Sequence, residues 1–239
     1  MRTAITRIFV DVTLEEENVL VLPQDEAHHI QKVLRAKRGD VFEVVDATLS
    51  LFVAELQDGR EAAILEKLQG SGKGRAEVTL YQAVPKGKHM DLVVEKAVEI
   101  GVSVIVPLVT EHSVVRPEGE GKVERWRRLA HSAARQSLQL RVPQVTEPTT
   151  FEEALREADG EGVLLHNEPD LPPLEEVVSS TTVRLFVGPE GGWSASEILQ
   201  ARESGFSVAQ LGQYRLRSET AGIVAVARAI AALERSEEK

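Results

Sequence analysis

The stretch "LFVGPEGGWSASE", residues 185–197, places three glycines, a proline and a glutamate directly after an apolar run. Gly188, Gly191 and Gly192 permit positive φ and close approach of backbone to a ligand. Pro189 stiffens the turn and removes one donor. Glu190 decides what kind of ligand the loop suits. A carboxylate beside a di- or triphosphate repels it, by several kcal/mol in a partly desolvated cleft of effective dielectric ~20. The phosphate-loop order G-x-x-x-x-G-K-[ST] and the dinucleotide order G-x-G-x-x-G are both absent. The loop therefore suits a ligand without phosphate and with positive charge. S-adenosylmethionine, which carries a sulfonium, an ammonium and an adenosine, has that character. The alternative is a tight strand–helix turn whose Glu190 is merely solvated. Ser194 and Glu197 fit a capping box, so a helix starts directly after the loop.

A second stretch, "AQLGQYRLRSETA" (209–221), presents Tyr214, Arg215, Arg217 and Glu219 just before the strongly apolar "AGIVAVARAIAAL". A helix that is apolar on all sides has to be buried nearly all round. That holds residues 217–220 against the core or a partner subunit. An Arg217–Glu219 ion pair pinning the loop is the plainer alternative. A third apolar run ends in "VLLHNEP" (163–169). Ligands of open parallel sheets bind beyond the carboxyl ends of the strands, so these segments are candidates for one cleft. His28 and His29 are adjacent, and His89, His112 and His131 are scattered without H-x-x-x-H or H-E-x-x-H spacing. No metal site is expected from them. G-x-S-x-G is also absent, which leaves a serine hydrolase without support.

Two rhythms of elements position these loops. Up to residue 69 the runs "RIFVDV", "NVLVLP", "VFEVVDA", "LFVAELQ" and "AAILEKL" are β-like, interrupted by the helical "DEAHHIQKVLRA". Short strands bounded by turn residues predict a small barrel or sandwich. "QGSGKGRAE" (69–77) has the composition of a flexible connector. Beyond it strands alternate with helices, from "EVTLYQAV" and "KHMDLVVEKAVEIG" through to the last apolar helix. That alternation predicts an α/β domain with a mostly parallel sheet covered on both faces. The expected division is a small β domain at 1–72 and an α/β domain at 73–239.

The 239 residues suffice for one or two cores. There is no cysteine, which rules out disulfides and thiolate metal sites. No apolar stretch approaches the ~20 residues of a membrane span, and the first residues lack a secretory h-region, so a cytoplasmic protein is expected. The net charge of −10 argues against a generally basic nucleic-acid binder. The charge is unevenly spread, however. Residues 122–141 hold six basic side chains against the single acid Glu124. A solvated helix face is the plain account of that run.

Taken together, "GPEGGWSASE" and "LGQYRLRSETA" strongly resemble the paired cofactor loops of the ribosomal RNA small-subunit methyltransferase E family, of the SPOUT class. "RIFVD", "HHIQKVLRAKRGD", "KGKHMDLVVEKAVEIGVSVIVPL" and "RQSLQLRVPQV" follow in the family's order. The resemblance implies methylation of N3 of a uridine in 16S ribosomal RNA within the small ribosomal subunit. It implies S-adenosylmethionine as cofactor, a deep trefoil knot in the C-terminal domain, a PUA-like N-terminal barrel that grips RNA, and a homodimer with the active site at the subunit boundary. The implied cofactor pocket comprises Leu165, His166, Gly188, Pro189, Glu190, Gly191, Gly192, Leu211, Gly212, Tyr214, Leu216 and Arg217. One departure stands out: where the family reads E-Q-S-G-R, this chain has Arg135, Gln136, Ser137, Leu138 and Gln139.

The implied chemistry needs loss of the imide proton and alignment of nucleophile, methyl and sulfur. Arg217 is the candidate for stabilising charge on the flanking carbonyl oxygens. Glu219 and Glu190 are both candidates for orienting the base or taking its proton. Phosphate contacts are expected from Arg7, Arg35, Lys37 and Arg38 in the small domain. In the large one they are expected from Lys86, Lys88, Arg125, Arg128, Arg135 and Arg141. The rival readings are a SPOUT enzyme acting on another RNA, a non-catalytic RNA-binding assembly factor and, least supported, a nucleotide hydrolase.

Overall fold

In the computed structural model, residues 4–69, 77–116, 120–156 and 160–237 are described. The chain divides into two compact units, one comprising Met1–Gly74 with Ala134–Val142, the other Arg75–Ala133 with Pro143–Lys239. The expected connector falls mainly at 70–76, outside the described residues.

In the first unit, β1 (Arg7–Phe9), β2 (Val19–Val21), β3 (Val41–Val45), β4 (Leu51–Leu56) and β5 (Glu61–Gln69) form a sheet in the order β1-β3-β4-β5-β2. Only β1 and β3 run parallel; the other pairs are antiparallel. The β4–β5 register shifts twice, and such irregularities increase local twist and curvature. Ile8, Leu22, Ile30, Phe42, Val44 and Phe52 make the core. The single expected helix after β2 is split: α1 (Gln24–His28) runs into a π-helical turn at His29–Val33.

The second unit has a seven-stranded sheet of β6 (Glu77–Ala83), β7 (Val104–Val109), β8 (Gln144–Val145), β9 (Thr149–Thr150), β10 (Glu161–Leu165), β11 (Thr182–Val187) and β12 (Ser207–Ala209). Its order is β12-β10-β11-β6-β7-β8, with β9 also on β7, and every pairing is parallel. The alternation of strands and helices predicts this arrangement. Helices α2 (His89–Ile100), α3 (Glu120–Gln136), α4 (Phe151–Arg156), α5 (Leu174–Val177), α6 (Ala195–Glu203) and α7 (Ser218–Glu237) complete the described elements. The strands are near-continuously apolar because both faces are covered. The Tyr81 and Phe186 rings stack at 4.2 Å, with Phe151 and Phe206 edge-on to Phe186.

Ser194 caps α6 with the expected reciprocal box: its side chain accepts from the Glu197 N–H while Glu197 accepts from the Ser194 N–H. Glu197 is buried and also accepts from the Glu111 backbone N–H at 2.9 Å. That ties the start of α6 to the segment following β7. Within the chain, helix α7 is buried on one side. Ala225, Val226, Ala229 and Leu233 are buried, but Ile223, Val224, Ala227 and Ile230 are only half-buried within the chain. No described helix is long and apolar enough to cross a membrane.

Candidate functional site

Strands β12, β10, β11 and β6 are consecutive neighbours in one parallel sheet, so the segments leaving their carboxyl ends emerge side by side. A cavity of about 730 Å³ lies there, within the range of small-molecule sites. From β10 come Leu165, His166 and Asn167; from β11 come Val187 to Trp193; from β12 come Leu211, Gly212 and Tyr214 to Leu216. The segment after β6 adds Lys86 and His89, and Arg217, Ser218, Glu219 and Ala221 belong to the entry into α7. Every residue the sequence singled out for the cofactor pocket lines this cavity. So do the three acid–base and charge-stabilising candidates, Arg217, Glu219 and Glu190.

The loops are locked by contacts that the sequence does not announce. The Trp193 indole N–H donates to the Leu165 carbonyl at 2.9 Å, joining the ends of β10 and β11. Trp193 also packs on Gly188, where an added Cβ would stand 3.1 Å from the ring. At Gly191 a Cβ would stand 3.1 Å from His112 Cβ, so a side chain there requires neighbours to move. Ser218 Oγ donates to the Gly188 carbonyl at 2.7 Å and accepts from Gln82 Nε2 at 2.9 Å. Against β12, the Gln210 N–H donates to the Pro172 carbonyl and the His166 N–H to the Ala209 carbonyl, both at 2.9 Å.

Charge in the cavity is mixed. The Glu190 carboxylate accepts from the Lys86 backbone N–H at 3.0 Å. Partial burial works against its ionisation, but that bond, its own backbone N–H and the charges of Lys86 and His89 win, holding the carboxyl below its usual range. The Arg215 guanidinium donates to the Glu190 carbonyl at 3.3 Å. Arg217 is exposed, and its guanidinium makes no ion pair or hydrogen bond among the described residues. Glu219 is buried and faces His89 rather than Arg217, with 3.5 Å between its Oε1 and the imidazole Nδ1. The Arg217–Glu219 pair considered as an alternative is therefore not formed.

The lining suits S-adenosylmethionine. Leu165, Leu211 and Leu216 offer apolar walls for a base and a methyl group, the loops offer backbone groups, and an ionised Glu190 offers a counter-charge to a cation. His89, Asn167 and Trp193 are lining residues that the sequence reading misses. The strand-end rule, applied to "TLYQAVPKGKH" as well, points to His89. Trp193, one of two tryptophans in the chain, directly follows the glycine loop.

The structure separates the basic residues into two groups. Arg35, Lys37, Lys86, Lys88 and Arg128 are exposed. Arg38 is exposed but paired with Asp58 at 2.7 Å, and Arg125 with Asp91 at 2.6 Å. Arg7 corrects the sequence expectation: it is 7% exposed, paired with Glu43 at 2.6 Å and donating to the Leu138 and Gln139 carbonyls. Its guanidinium is engaged inside the first unit. Arg135 is likewise mostly buried, one terminal nitrogen donating to both carboxylate oxygens of Glu26 at 2.9 and 2.8 Å. Burial raises the Glu26 carboxyl above its usual range despite that partner. Arg135 and the half-buried Arg141 both group with the first unit and not with the second, where the sequence places them.

Comparisons with known proteins agree with this geometry. A family profile described as an RNA methyltransferase domain matches residues 73–230, and one described as an RNA methyltransferase PUA domain matches residues 22–68. The chain is 34% identical to the ribosomal RNA small subunit methyltransferase E of Synechocystis sp. over 227 residues, covering 91% of this chain and 75% of that one. It is 31% identical to the protein of that name from Mesomycoplasma hyopneumoniae, covering 94% and 98%. The crystal structure of the Neisseria gonorrhoeae ribosomal RNA small subunit methyltransferase E, bound to S-adenosyl methionine, superposes with a TM-score of 0.83 at 29% identity, covering 93% and 95%. An α/β unit with a parallel sheet, a small N-terminal PUA domain and these matches lead to one conclusion: the chain belongs to the ribosomal RNA small subunit methyltransferase E family.

Proposed function

We propose that this protein transfers a methyl group from S-adenosylmethionine to N3 of a uridine in 16S ribosomal RNA of the small subunit. The observation that carries the reading is the convergence of four adjacent strand ends on one cavity that holds Glu190, Arg217 and Glu219 together. The cofactor, when bound, supplies an electrophilic methyl group on a sulfonium. Leu165, His166, the 188–192 loop, Leu211, Gly212, Tyr214, Leu216 and Arg217 would hold it. Arg217, with no partner among the described residues, is placed to stabilise negative charge spreading over the uracil carbonyl oxygens as the imide ionises. A uridine reaches the cavity only when flipped or already splayed from structured RNA.

The working division is a PUA-like RNA-gripping domain at 1–72 and a knotted methyltransferase domain at 73–239. The pairing of the segment after β12 with residues 169–174 supports a chain threaded through its own loops. The half-buried apolar stripe of α7, Ile223, Ala227 and Ile230, supports a homodimer that covers it. Ribosomal RNA as substrate supports a cytoplasmic site of action. The deciding experiment is methyl transfer from labelled S-adenosylmethionine to small subunits lacking this modification, followed by nucleoside analysis. A single new N3-methyluridine is expected. Cofactor binding without transfer would redirect the reading to another RNA, and full turnover by Arg217→Ala would remove the role given to Arg217.

A further inference from the structure

Among the titratable side chains that line the cavity, His89 has no role in the reaction proposed above. His89 opens α2, in the segment that follows β6, and its side chain is 49% exposed. From α7, the buried Glu219 places Oε1 3.5 Å from the ring Nδ1, and Glu219 has no other ion-pair partner among the described residues. From the β11 loop, Glu190 adds a second carboxylate to the lining of the same cavity. Lys86, Arg215 and Arg217 are the cations lining the same space. The imidazole thus faces a buried carboxylate on one side and the open cavity on the other.

On the uridine reading above, we infer that His89 is the acceptor of the N3 proton and that Glu219 is its positioning carboxylate. Glu190 is the weaker acceptor because its carboxylate is already held by the Lys86 N–H and kept ionised. Glu219 is turned to the ring and shielded from solvent. In the proposed step the N3–H bond breaks and its proton passes to Nε2 of the neutral imidazole. The nitrogen lone pair freed in this way takes the methyl group, whose bonding pair remains on the donor's sulfur. Nδ1–H faces Glu219, so the imidazolium that forms is balanced by a carboxylate. The exposed edge of the ring then returns the proton to water.

Two measurements test this. In single-turnover methylation of unmethylated small subunits, His89→Gln is expected to lose about 100-fold at neutral pH, a magnitude usual for general-base removal. The deficit narrows as pH rises, because an imide already ionised needs no acceptor. Independently of turnover, an NMR titration of the His89 ring is expected to show a lower midpoint in Glu219→Gln, since loss of the facing carboxylate destabilises the imidazolium. A constant deficit across pH, an unaltered rate, or an unmoved midpoint in Glu219→Gln overturns the inference and leaves the methyltransferase reading standing. Native protein that leaves the subunits unmethylated overturns the reading itself, and the inference with it.

Discussion

Gln82 Nε2 lies 2.9 Å from Ser218 Oγ, and Ser218 Oγ in turn donates to the Gly188 carbonyl at 2.7 Å. A fully buried strand residue of β6 thereby fixes both the first residue of α7 and the glycine loop after β11. One helical turn further, a Cβ on Gly222 would run into Gln82 Oε1, so the amide would have to shift. Gly222→Ala is therefore expected to push Gln82 off Ser218. Overpacking costs on the order of 1–3 kcal/mol, against about 1 kcal/mol gained in helix propensity. A lower unfolding temperature together with weaker S-adenosylmethionine binding is the expected result. A more stable protein with native affinity would show that the relay does not hold the loop.

The Trp193–Leu165 bond makes a second, separate test. Trp193→Phe keeps most of the aromatic packing beside Phe151 but removes the only indole donor to the Leu165 carbonyl. An unpartnered buried carbonyl costs about 1–3 kcal/mol. The expected outcome is a loss of stability of that order by denaturant titration. A cofactor affinity that falls with it would show that the β10 and β11 loops act as one surface.

Much of this architecture is legible in the sequence because parallel strands buried on both faces are written as unbroken apolar runs. Leu185–Val187 followed by glycine marks both a strand and its loop. Glu190 is legible by elimination of phosphate ligands, and the Ser194–Glu197 box by its spacing. His89 is hidden because its partner Glu219 lies far along the chain, and a lone histidine has no pattern. The burial of Arg7 and Arg135 is hidden for the converse reason. A basic residue looks like a phosphate contact until Glu43 and Glu26 are seen beside them. Arg135 is matched by the buried Glu26. The split of the helix into α1 and a π-helical turn has no signal in the apolar periodicity.

Glu190 carries a pH prediction whose sign follows from its depressed pKa. Its carboxyl is held ionised by the Lys86 N–H, its own N–H and nearby positive charge, against the effect of burial. A folded-state pKa below the unfolded value, about 4.3 for glutamate, contributes stability that is present above that value. The contribution is lost as pH falls through the folded pKa. Glu190→Gln should flatten that part of the acid limb of stability. At neutral pH it should weaken binding of the cationic cofactor by roughly 10-fold, equivalent to about 1.4 kcal/mol. Equal affinity of Glu190→Gln and native protein, measured by calorimetry at neutral pH, would remove the counter-charge role.

Basic residues that look alike in the sequence should separate cleanly in experiment. Arg7 is buried against Glu43, and removing one partner of a buried ion pair costs about 3–5 kcal/mol because the other charge is left stranded. Arg7→Ala should therefore unfold the first unit at lower denaturant. Lys37 and Lys88 are exposed and without an ion-pair partner among the described residues. Lys37→Ala and Lys88→Ala should leave unfolding unchanged within ~0.5 kcal/mol. If they meet phosphates, each should lower the slope of log affinity against log salt for small subunits by about 0.7–0.9, the release of one counterion. A salt slope unchanged in both lysine variants would move the RNA surface elsewhere. A fall in slope for Arg7→Ala, with native stability, would show that its guanidinium leaves Glu43 to bind RNA.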